Sequence, residues 1–153
     1  RVRKGSLART RERTLRVSLK NCASVPRTVH YESHSSRLSL DARAGDGGAV
    51  PITDTHANQK FDNTVYCLDV HRLLPGEERL LTDAQVSRVE GNLVVGVDGL
   101  VATADREGSL EVRIAFTSRA TKCREGFQER DAPWRPIADV WIGTVSAPPV
   151  VVP

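Results

Sequence analysis

Four histidines (His30, His34, His56, His71) and three cysteines (Cys22, Cys67, Cys123) are the residues of this chain that could hold a metal. Imidazole and thiolate together bind zinc, usually through closely spaced ligand pairs. No C-x-x-C pair is present. His30 and His34 are four residues apart, a spacing that aligns side chains on a helix. They fall instead in a predicted strand and the polar stretch after it, so histidines on the surface or satisfied in the core are the plainer reading. Asp46, Asp54, Asp62 and Asp69 are scattered and lack the D-x-D-x-D-G spacing of a calcium loop. A serine hydrolase of the α/β type would need a G-x-S-x-G elbow, which is absent. Gly45-Asp46-Gly47-Gly48 is glycine-rich but neither follows a parallel strand nor opens a helix, so it reads as a turn rather than a phosphate cradle. No catalytic, cofactor-binding or metal residue is assigned, and the expectation is a protein that is not an enzyme and needs no cofactor.

The residues that suggest contact with a partner are of another kind. Trp134 stands between Pro133 and Arg135-Pro136 in a stretch read as a charged loop, residues 122–136. Trp and Arg are enriched at binding hot spots, which makes Trp134 and Arg135 contact candidates. At the other end, residues 1–13 form a basic arm with Arg9, Arg11 and Arg13 at its close and only Glu12 opposing. Such an arm could meet nucleic acid, anionic lipid or an acidic protein. A solvated tail is the plainer reading.

These residues must be positioned by strands. Residues 14–20 alternate strictly, with Leu15, Val17 and Leu19 on one face, the signature of a half-buried strand. Asn21 and residues 24–26 supply a turn, and residues 28–32 a second short strand. Leu38, Leu40 and Ala42 alternate again. Residues 45–63 read as a long loop with one short strand near 49–53. Residues 65–74 are predicted as a strand with Tyr66, Leu68 and Val70 on one face, followed by the turn Pro75-Gly76. Leu80 and Leu81 suggest a further short strand, and residues 83–89 a short helix capped by Asp83. Residues 91–104 are valine-rich and broken by Asp98-Gly99, a hairpin turn signal. Residues 109–117 are the cleanest strand, with Leu110, Val112, Ile114 and Phe116 on one face. A final strand is expected over 138–146, with Trp141 packed in it and residues 150–152 as its continuation.

At 153 residues the chain suits one domain, residues 14–153, behind the arm. Apolar residues make up 39% and charged residues 27%, the balance of a folded domain rather than a disordered chain. The net charge of +3 is mild and comes from the arm. Arginine far outnumbers lysine, which reads as the mark of a GC-rich coding sequence. Methionine is absent even at position 1, so the expectation is a processed product or a piece of a longer chain. No apolar run approaches a membrane span. One disulfide plus a free thiol suits export; three buried thiols suit the cytosol. No N-x-S/T acceptor is present.

Short strands with frequent turn signals describe an all-β fold: an antiparallel Greek-key sandwich of about seven to nine strands. The order L-x-V-x-L-x-N-x-x-x-x-P-x-x-V from Leu15 to Val29 resembles the opening of immunoglobulin-like accessory domains of secreted bacterial proteins. Leu73-Leu-Pro-Gly-Glu-Glu78 is similar to their mid-domain turn, Gly108-Ser-Leu-Glu-Val-Arg-Ile-Ala-Phe116 to their penultimate strand, and residues 141–152 to their last. The antibody-type Cys-Trp-Cys order is absent, since Trp134 and Trp141 follow all three cysteines. The resemblance implies an adhesive, spacing or assembly role by analogy of fold. The expected function is therefore a non-enzymatic structural or accessory protein, secreted, periplasmic or on the cell surface, whose partners are other protein subunits. The alternative is a viral or phage coat or decoration protein with a jelly-roll fold, in which the arm alone would touch nucleic acid. A third class is a protease-inhibitor module presenting an exposed loop.

Overall fold

The computed structural model describes residues 13–31, 38–59, 64–105, 108–126 and 131–153. Arg9 and Arg11 lie outside them, as do His34 and Asp62. The fold is all-β with antiparallel sheets.

The larger sheet is built on β1 (Arg13–Lys20), β4 (Ile52–Asp54), β6 (Glu78–Val89), β7 (Asn92–Val97) and β8 (Leu100–Ala104), in the order β1-β6-β7-β8-β4. The second is centred on β9 (Leu110–Ser118), with β3 (Leu38–Ala44) along one side. Both β12 (Gly143–Ser146) and β13 (Val150–Val152) lie along the other side. Two short pairs complete the described strands, β2 (Arg27–His30) with β5 (Val70–Leu73) and β10 (Lys122–Arg124) with β11 (Trp134–Pro136). Several of these thirteen strands are only three or four residues long, and β12 and β13 are two pieces of one edge.

The alternating faces meet in one core. Leu93, Val95 and Val97 of β7 and Ala84 and Val86 of β6 are buried against Leu38, Leu40, Leu110, Val112 and Phe116 of the second sheet. Leu15, Val17 and Leu19 pack at its margin. A smaller cluster, Ala120, Cys123 and Ile137 with Val65, Cys67, Val70 and Val140, underlies β10 and β11.

Turn chemistry sets the register. Asp98 and Gly99 have φ of 49° and 84°, the two positive values of the tight turn whose twist suits a hairpin. Glu90 and Gly91, at 51° and 87°, make the same turn between β6 and β7. Gly99 is also fixed by space, because a Cβ there would sit 2.1 Å from Nδ1 of His56. Pro75-Gly76 forms the expected turn, with Gly76 at φ 78° and the Glu77 N–H donating to Leu74 O at 3.0 Å.

Four expectations are corrected. Residues 83–89 are not a helix but the second half of β6, which has a strand on each side, so ladder hydrogen bonds override the cap-like Asp83. Residues 65–69 do not extend β5: Cys67–Asp69 is a single 3-10 turn. That turn buries Tyr66 and leaves Leu68 64% exposed, so they do not share a face. Residues 122–136 are not simply a charged loop, since β10 and β11 pair across it. The closing strand begins at Gly143, not at 138, because Asp139 has φ 54° and residues 139–141 bond to Thr28 of β2 instead. Trp141 therefore precedes the strand, yet it packs on the core and stacks on Phe116, with ring centroids 6.4 Å apart.

Candidate functional site: a free sheet edge and two contact surfaces

The potential metal and acid–base residues are dispersed. His30 is buried in β2 and His71 is half-buried in β5, its Nε2 lying 3.3 Å from Tyr31 O. Burial pushes the His71 pKa down, and the Arg79 charge adds to this. Burial pushes the Asp69 carboxyl up, partly offset by His71. Burial, aided by the Asp98 carboxylate, pushes the Tyr31 phenol up to about 12, so it stays neutral at ordinary pH. Asp46 and Asp54 accept hydrogen bonds from the backbone N–H of Gly48 and His56, two residues on, as aspartates do in turns. Among the described residues no group of three or more His, Cys, Asp or Glu side chains converges on a metal position. The Gly45–Gly48 segment is a tight turn closed by the Gly47 N–H on Ala44 O at 2.8 Å.

The structure does bring together the residues around Trp134. The β10–β11 register sets Arg124 opposite Trp134 and Cys123 opposite Arg135. Trp134 is 48% exposed, with the Lys122 ammonium 5.1 Å from its ring centroid. That distance is within cation–π range. Arg135 forms an ion pair with Glu125. The pair of strands is fastened by a disulfide between Cys67 and Cys123, while Cys22 is an exposed free thiol. Arg13 opens β1, exposed and distant in sequence from Trp134.

A surface that side-chain motifs do not announce is the outer edge of β12 and β13. The Ala147 N–H donates to Ile114 O at 2.8 Å. Antiparallel strands alternate between residues bonded to the neighbour and residues facing away. With Val145 opposite Phe116 and Gly143 opposite Ser118, the backbone of Gly143 and Val145 therefore faces β9, and that of Thr144 and Ser146 faces outward. No described strand pairs with that outward side. From Val140 to Pro153 there is no charged residue, and Ile142, Val145, Val150 and Val151 are exposed. Charges usually guard such an edge. Here Pro148 and Pro149 only interrupt it.

Next to this edge, between the end of β1 and β12, is a groove of about 310 Å³. Leu19, Val29, Leu73, Trp141 and Val145 form its apolar wall, and Lys20, Arg27 and Cys22 stand on its rim. Asn21 holds the corner. Its Nδ2 donates to Val25 O at 2.9 Å and Leu73 O at 3.0 Å, and its Oδ1 accepts from the Ala23 N–H at 3.0 Å. Asn21→Ala leaves these groups unpaired in a buried place, so a loss of about 1–3 kcal/mol is expected. Urea unfolding checks it: a change below the scatter of repeat titrations would show that water replaces the amide.

The sequence signal for the edge was present in the uncharged, β-branched C-terminal run, but a strand's edge status depends on which neighbours it finds. No protein-family model matches this chain, and neither a curated protein nor a solved structure was found to match it.

Proposed function

We propose that this protein is a non-enzymatic structural or accessory subunit that works by protein–protein contact in a surface or envelope assembly, with its principal contact along β12 and β13. One observation carries the reading: an uncharged edge strand with outward backbone groups at Thr144 and Ser146 and exposed valines beside them. An extended segment of another subunit can add to such an edge through main-chain hydrogen bonds. Trp134, Lys122 and Arg135 offer a second contact of the aromatic and cationic type found at hot spots. The disulfide supports an oxidising location, secreted, periplasmic or at the cell surface. The likeness of residues 15–29, 73–78, 108–116 and 141–152 to immunoglobulin-like accessory domains supports the same role.

The coat-protein alternative, with nucleic acid held by residues 1–13, has weaker support. On β1 the cations Arg16 and Lys20 stand opposite Asp83 and Glu78, so the basic character of the arm does not extend onto the sheet.

The test is a photo-cross-linking residue in place of Val151, compared with the same residue at Glu90 in the distant β6–β7 turn, in the native assembly. Discrete adducts with one or a few protein species are expected from position 151 only. Equal labelling from both positions, or none from 151, would overturn the reading.

A further inference from the structure

The groove beside β12 gives the edge a chemical preference. Its apolar wall comes from both sheets and from the β2–β5 pair, through Leu19, Val145, Val29 and Leu73, with Trp141 between them. Val145 sits on the core side of β12, opposite buried Phe116, yet it is exposed. The core-facing side of the edge is thus left uncovered where a further strand would cover it. A guest strand bonded to the outward groups of Thr144 and Ser146 would send alternate side chains toward this wall.

The groove lining carries one sign of charge; Glu78, opposite Lys20 on β6, lies outside the lining and accepts a hydrogen bond from the Ser18 hydroxyl. The groove residues include Lys20 and Arg27 and no carboxylate. Among the described residues neither cation forms an ion pair. An apolar wall whose lining adds Lys20 and Arg27 and no carboxylate complements a segment that has apolar residues at alternate positions and an acidic residue where it crosses the rim.

We infer that the groove and the β12 edge together take an extended, acidic segment of a partner protein, with apolar side chains at every second position and a carboxylate between Lys20 and Arg27. This rests on the edge-pairing reading above and adds to it the chemistry of the partner strand. Cys22 on the same rim serves as a reporter, because its exposed thiol would be shielded by a seated segment.

The test uses the whole chain and synthetic peptides: acetyl-Val-Thr-Val-Thr-Val-Thr-Glu-amide, in which Glu shares the valine face, the same peptide ending in Gln or Lys, and decanoate as an apolar anion without a backbone. The Glu peptide is expected to bind and to slow alkylation of Cys22 by iodoacetamide, and the Gln and Lys peptides to bind more weakly. Reversing both cations, Lys20→Glu with Arg27→Glu, is expected to weaken the Glu peptide roughly tenfold, the scale of two exposed ion pairs. It should also make the Lys peptide the preferred one. Ser146→Pro removes an outward N–H that β9 does not use, and is expected to abolish binding of all three peptides.

Peptides that bind equally to both charge states, but still need Ser146, would overturn the acidic preference and leave edge pairing intact. Binding that survives Ser146→Pro would overturn edge pairing itself. Decanoate protecting Cys22 while the Glu peptide does not would replace the strand with a lipid anion and overturn the inference. Circular dichroism of each variant establishes that it is folded before binding is read.

Discussion

Replacing Cys67 and Cys123 together by alanine is expected to lower the unfolding free energy by about 4 kcal/mol, the chain-entropy value for a loop of this length. The two residues are 56 apart in sequence, so the bond removes a large set of open conformations from the unfolded chain. The folded side of the balance offers little to replace it. Among the described residues the cluster under β10 and β11 has just three buried members, Ala120, Cys123 and Ile137, and β10 and β11 pair over three residues each. Since whole domains are stable by only about 5–15 kcal/mol, this is a large fraction of the total. Urea titrations of the oxidised protein, the double variant and a Cys22→Ser control would measure it. The control is expected to match the parent, because Cys22 is unbonded and exposed. If the double variant unfolds at the parent midpoint, the disulfide contributes nothing to the fold.

Phe116→Ala is the second large effect, an expected loss of about 3–5 kcal/mol from the cavity and the lost burial. Phe116 lies opposite Leu38 on β3 and Val145 on β12, so it sits where three strands meet on the core face. Its ring meets Tyr31 edge-on at 6.0 Å and stacks on Trp141 at 6.4 Å. Removing it withdraws support from both aromatic neighbours and from the β12 edge. In a Trp134→Phe background, Trp141 is the sole tryptophan, and its emission should shift to longer wavelength as water reaches the ring. Phe116→Leu should retain most of the stability, because cores tolerate swaps of similar volume. A loss below about 1.5 kcal/mol for the alanine variant, the range of a well-tolerated core swap, would mean that the core closes over the gap.

The two effects bear on function differently. The disulfide holds the surface that presents Trp134 and Arg135, whereas Phe116 holds the edge and the wall of the groove. Partner binding by edge pairing should therefore be more sensitive to Phe116→Leu than to loss of the disulfide in conditions where both variants remain folded.

The all-β class, the turns at Pro75-Gly76 and Asp98-Gly99, and the faces of β1, β3 and β9 were legible from the residues. Each depends on local chemistry: period-two alternation, a glycine at positive φ, or a proline that presets the chain. Residues 83–89 are strand and not helix because the cap signal of Asp83 is a local preference, and two paired neighbours outweigh it. Exposure of Trp134 followed from its prolines and charged neighbours, but its contact with Lys122 required the β10–β11 register.

By itself the sequence determined that alternating strands would bury one face and that the segment after Val140 would be extended and uncharged. Only the tertiary structure decided that Cys67 pairs with Cys123, that Trp141 stacks on Phe116 before the strand begins, and that β12 is an edge beside a groove. The physical reason is that a residue's alternation is written within its own strand, whereas an edge is defined by the neighbour that is missing. Leu19, Val29, Leu73 and Val145 are far apart in sequence, and they become one wall only when both sheets close on the same core.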